Sequence, residues 1–179
     1  MLKHGFDMHQ LFLSAPGDLE KERDACRSAI SEVNSAEAMP LKILLVSVGL
    51  TCDDHVVGFR SAVADNIRQS AYYVQVFEDD WGPKNLFRKM FYLAIECRDD
   101  ATLPMQDVVV FLKAAPRETD PEILAFRKEL EEQPGVRVFH FDKLESLKTQ
   151  LQQVSSGWVR QIVGQALPPA KQPFSAAPR

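Results

Sequence analysis

Residues 41–48 read Leu-Lys-Ile-Leu-Leu-Val-Ser-Val, a nearly unbroken apolar run. A strand that is apolar at consecutive rather than alternate positions belongs in a parallel sheet covered on both faces. A parallel sheet needs a helical crossover between each pair of strands, and the flanking sequence supplies them. Upstream, Leu19, Ala25, Cys26, Ala29, Ile30 and Val33 share one helical face, closed by Pro40. Before that helix, residues 9–15 (His-Gln-Leu-Phe-Leu-Ser-Ala) predict a strand stopped by Pro16-Gly17.

The alternation continues downstream. Phe59, Val63 and Ile67 predict a second helix, and residues 72–77 (Tyr-Tyr-Val-Gln-Val-Phe) a third strand. Residues 86–97 are helical in pattern and apolar nearly all round, so they predict a buried helix. Val108 to Leu112 predicts the fourth strand, and Asp120 before Pro121 an N-cap with proline at the first helical position. Residues 136–141 predict an edge strand. The last helix carries Leu144, Leu147, Leu151, Val154, Trp158 and Ile162 on one stripe, which either packs on the sheet or forms a homodimer seam around Trp158. Five β-α units with right-handed crossovers predict a flavodoxin-like, doubly wound five-stranded parallel sheet in the order 2-1-3-4-5, with helices on both faces. The expected organisation is a short extension over 1–8, one α/β domain over 9–167 and a mobile Pro/Ala-rich tail over 168–179.

Composition limits the function. With 179 residues, 45% apolar and 26% charged, the chain fits one globular domain and excludes collagen, disorder and a disulfide scaffold. The net charge of -4 argues against non-specific nucleic-acid binding. The longest apolar run is about half of what a membrane-spanning helix needs, and residues 1–10 lack the apolar segment of a signal peptide. Cys26, Cys52 and Cys97 share no CxxC spacing, so the expectation is a cytoplasmic protein with reduced thiols, no metal site and no required cofactor.

In such a sheet ligands bind at the carboxyl ends of the strands. That rule selects Ser14, Ala15 and Gly17 after the first strand; Asp53, His55 and, at its far end, Phe59 around the loop after the second; and Glu78 and Trp81 after the third. Ser14 either caps the first helix or contacts a ligand at its N-terminus. Neither a Walker loop nor a GxGxxG fingerprint is present. Trp81 either covers the sheet edge or stacks on a base, and Glu78-Asp79-Asp80 reads first as a solvated acidic turn and second as a metal site or an acid/base pair. His55, following Asp53-Asp54 in that loop, is a candidate general base.

The opening Leu11-Phe-Leu-Ser-Ala-Pro-Gly-Asp-Leu-Glu-Lys-Glu-Arg-Asp24, continuing to Ile30, resembles the start of bacterial TIR-like domains. In those relatives of Toll/interleukin-1 receptor domains, a strand ending Phe-(Ile/Leu)-Ser-Ser leads into a helix beginning Asp-(Leu/Val)-x-x-Glu-Arg-Asp. The matching positions are Phe12, Leu13, Ser14, Ala15, Asp18, Leu19, Glu22, Arg23 and Asp24, and Ile67-Arg68-Gln69-Ser70 before the third strand is similar to a later passage of the family. The resemblance implies the same fold and a signalling module, in bacterial antiphage defence, that self-assembles or binds protein partners. It also implies, for a subset, cleavage of NAD at the nicotinamide–ribose bond, giving cyclic ADP-ribose products.

In that subset a glutamate on the helix after the third strand holds the ribose and stabilises an oxocarbenium-like transition state. Relatives carry Ser-x-Thr-Glu-x-Glu there, whereas this chain has Asn85-Leu86-Phe87-Arg88-Lys89-Met90. The helix's one glutamate is Glu96, about 12 Å beyond Arg88 at 1.5 Å per residue. The candidate acids are therefore Glu78 and Glu96, with Trp81 or Phe59 as a stacking surface and Ser14 near the phosphates. An interaction module is expected first, an NAD glycohydrolase second, and a deoxyribosyltransferase-like nucleoside enzyme third.

Overall fold

The computed structural model describes residues 5–16, 18–50, 61–79 and 85–166. Strand β1 (Asp7–Ser14) leads to helix α1 (Glu20–Val33), which runs on through a π-helical turn at Asn34–Ala38 and a 3-10 turn at Met39–Leu41. There follow β2 (Ile43–Gly49), α2 (Ser61–Arg68), β3 (Tyr72–Phe77), α3 (Leu86–Asp99), β4 (Asp107–Lys113), α4 (Pro121–Glu132), β5 (Arg137–Phe141) and α5 (Leu144–Ala166). All pairings are parallel and the order is β2-β1-β3-β4-β5, the flavodoxin-like arrangement expected from the alternation of strands and helices. Leu11 lies in register with Ser47 on one side and Tyr72 on the other.

Alternate residues of each strand serve opposite cores. Leu11, Leu13, Ile43, Leu45, Val74 and Phe111 pack against α1 and α5 on one face. Phe12, Tyr73, Phe77, Val108, Val110 and Leu112 pack against α2, α3 and α4 on the other. The Asp120 carboxylate accepts the Glu122 N–H at 2.8 Å and starts α4 as its sequence predicts. Among the described residues no helix is long and apolar enough to cross a membrane.

Two expectations need correction. β1 begins at Asp7, inside the supposed 1–8 extension, because the Asp7 N–H donates to the Lys42 carbonyl at 2.8 Å and extends the ladder. Secondly, β2 is not buried on both faces. It is the outermost strand, with Ile43 and Leu45 buried, Leu44, Val46 and Val48 half-buried and Ser47 exposed. It also starts two residues late, since Lys42 takes a left-handed conformation at φ 58°. Of the two readings of the last helix's stripe, packing on the sheet is the one observed: Trp158 is 1% exposed and lies in the core. The 168–179 tail lies outside the described residues.

Candidate functional site

The strand order reverses between β1 and β3, so the crevice at their carboxyl ends is where this fold binds ligands. Ser14 and Gln75 are register partners there. Both are buried, as is Tyr73, and together they put polar groups into an otherwise apolar face. The Tyr73 hydroxyl donates to Gln75 Oε1 at 2.7 Å, and Gln75 Nε2 donates to the Val76 carbonyl at 3.1 Å. The Ser14 hydroxyl lies beside that of Tyr73 but makes no hydrogen bond of good geometry. Burial pushes the Tyr73 phenol above its ordinary value, and the nearby Ser14 hydroxyl opposes this only in part. Ser14 is not a helix cap, since α1 starts at Glu20 with Leu19 in the N-cap position.

One step further along the edge, Lys113 at the end of β4 reaches two carboxylates. Its Nζ is 3.0 Å from Glu22 Oε1 on α1 and 3.0 Å from Glu78 Oε2 just past β3. Burial by itself would lower the Lys113 pKa, but the two carboxylates outweigh it and hold the ammonium above its ordinary range. Arg127 of α4 braces the same corner, donating to the carbonyls of Glu78 at 2.7 Å and Lys113 at 2.9 Å. Glu78 also lines an open cleft of about 290 Å³ with Asp79, Pro116, Arg117 and Glu118. The corner is thus a clasp of four elements closed by one lysine and one arginine.

The other sequence candidates separate. Ala15 is 1% exposed and lines a small cavity near the end of β2. Glu96 is exposed in the last turn of α3, which leads to the start of β4 and hence to the opposite edge of the sheet from Glu78. Gly17, Asp53, His55, Phe59 and Trp81 lie outside the described residues. Where TIR-like domains carry an acidic motif, Arg88 of this chain lies over the rings of Phe126 and Tyr92 and is 3.6 Å from Glu129, whose carboxylate also accepts the Tyr92 hydroxyl.

No local pattern singles out Lys113 or Arg127 in the sequence, and Glu22 stands there as a motif position. Glu22 carried a signal: it falls between Leu19 and Cys26 on the apolar stripe of α1, where a carboxylate requires a partner. Cys26 and Cys97 are buried free thiols, and burial raises Cys26 to about 12. Among the described residues no three His, Cys, Asp or Glu side chains gather to hold a metal ion.

No protein-family model matches the chain, and no curated protein does. Among solved structures it is similar to the metal-soaked Flv1 flavodiiron core from Synechocystis sp. PCC6803, with 9% identity and a TM-score of 0.46. That match covers 92% of this chain, which spans 38% of the flavodiiron chain's length.

Proposed function

We propose that the chain is a TIR-like interaction module that acts by self-assembly or partner binding, in the setting of bacterial antiphage defence that its opening motif implies. The observation that carries this reading is a group of exposed apolar side chains at the amino-terminal edge of the sheet. Phe6 is 48% exposed, Met8 68%, Met39 44% and Leu41 54%. The Asp7-to-Lys42 hydrogen bond brings the two segments bearing them side by side. Large apolar side chains left in water on neighbouring segments offer a surface for another molecule to cover. The acids of the opposite edge support the same reading, because Glu22 and Glu78 are engaged by Lys113 within the fold.

Light scattering across a concentration series, with and without Met8→Glu and Leu41→Glu, tests the proposal. Concentration-dependent assembly that either substitution abolishes supports it; a wild-type chain that stays monomeric at every concentration rejects self-assembly. The competing reading, NAD cleavage, is favoured by the position of Glu78 on an open cleft. Concentrated protein incubated with NAD and a crowding agent distinguishes the two. Nicotinamide release that is lost in Glu78→Ala would replace the module by an NAD glycohydrolase.

A further inference from the structure

A second feature of the carboxyl edge is independent of that reading. Between the ends of β1 and β2 lies a cavity of about 40 Å³, and Ala15, Arg23, Arg27, Ser47 and Gly49 are among its lining residues. Its two cationic residues come from successive turns of α1. Positions 23 and 27 are four apart, so they share one face of the helix. Arg23 is held in place by carbonyls: its Nη1 donates to Pro16 at 2.9 Å and to Ala15 at 3.4 Å. Those carbonyls fix the guanidinium without cancelling its charge, and among the described residues no carboxylate forms an ion pair with Arg23. Arg27 has Asp24 at 3.5 Å, a pair in which both side chains are more than half exposed, at 56% and 67%. Water screens such a pair strongly.

The floor of the cavity is equally specific. A Cβ on Gly49 would meet the Leu13 carbonyl at 2.9 Å, so only glycine lets the end of β2 come this close to β1. Ser47, two positions earlier on the same strand face, also lines the cavity and carries a hydroxyl that can donate. About 10–15 Å³ of such volume holds one water-sized atom. The cavity therefore has room for about three, which matches the outer oxygens of a phosphate group.

We propose that this cavity binds a phosphate-type oxyanion, held between the guanidinium groups of Arg23 and Arg27 with the Ser47 hydroxyl beneath. Planar guanidinium forks pair with phosphate oxygens two at a time, and this sets the site apart from a general attraction for anions. The chain's net charge of -4 works against any unspecific attraction, so binding has to come from this local geometry.

Titration followed by amide NMR of the full chain tests the proposal, with inorganic phosphate and AMP as separate probes at ionic strength held constant with chloride. The amides of Ser47 and Gly49 should shift and saturate with at least one probe. Arg27→Gln should weaken that binding roughly tenfold, the order expected for losing one charge-assisted contact. Lys128→Gln, which removes the same charge from α4, should leave it unchanged. AMP binding tighter than phosphate assigns the anion to a nucleotide; equal or weaker AMP binding assigns it to the free ion. Shifts that fail to saturate with both probes, or that Arg27→Gln and Lys128→Gln alter equally, overturn the proposal.

Discussion

The indole of Trp158 stacks on the ring of Tyr72, with centroids 4.2 Å apart and planes 12° from parallel. Its Nε1 also donates to Asp107 Oδ2 at 2.7 Å, so the far half of α5 is pinned to the starts of β3 and β4 at once. The same Asp107 carboxylate receives Arg137 from β5. One buried side chain therefore ties the last helix to three strands.

Trp158→Ala should destabilise the fold by about 3–5 kcal/mol, the usual cost of emptying a buried aromatic site. Trp158→Phe, which retains the stack but loses the N–H, should cost about 1 kcal/mol. Denaturant unfolding measures both, and the mass of the folded protein in solution should be the same in all three. A change in mass with the Ala variant would revive a role for Trp158 between chains.

At the outer edge of the sheet, the Asn34 side chain holds both backbone groups of Leu45. It donates to the carbonyl at 2.8 Å and accepts the N–H at 2.9 Å, taking the place of a missing neighbouring strand. Asn34→Ala should cost about 2 kcal/mol from two lost hydrogen bonds. It should also raise aggregation, because an unprotected edge invites another strand. Unfolding midpoints together with turbidity on concentration check the two effects separately.

Lys113→Met leaves Glu22, 7% exposed, without its cation. The expected loss is about 2 kcal/mol, between the value for a surface pair and that for a fully buried one. Adding Glu22→Gln to Lys113→Met should recover part of it, since the uncompensated charge is then gone. Equal losses in the single and double variants would mean that the clasp contributes through packing alone.

Stability should fall with alkali. Cys26 rises from 9.0 to about 12 on burial, and Tyr72 from 10.0 to about 12, chiefly through burial. In each case the unfolded chain gives up its proton first. The folded state is then favoured fully below the unfolded value and loses that advantage as pH rises towards the folded one. Between pH 9 and 10 the Cys26 contribution should fall by about 1 kcal/mol. In Cys26→Ala the decline over that interval should be shallower by the same amount, as measured by unfolding at half-unit steps.

The central strands were the most legible part of the fold. Tyr72–Phe77 and its neighbour Asp107–Lys113 are buried on both faces, and their apolar runs admit little else. β2 has almost the same kind of sequence yet lies at an edge, because burial on two faces and position in the sheet are different properties. What seals that edge is Asn34, at the start of the π-helical turn, whose side chain closes on Leu45. No local pattern in the sequence reports this.

The site divides along the same line. Local periodicity, turn residues and capping depend on neighbours within a few positions, so the order of elements, the start of α4 and the crowding of polar groups at the carboxyl edge could all be read from residues in succession. The Glu22–Lys113–Glu78 clasp joins positions far apart in the chain, and Ser14 is withdrawn into the core rather than presented to a ligand. Arg23 and Arg27 meet Ser47 and Gly49 only where β2 is laid beside β1. Such meetings depend on which strands become neighbours, and that follows from how the helices pack across the two faces of the sheet.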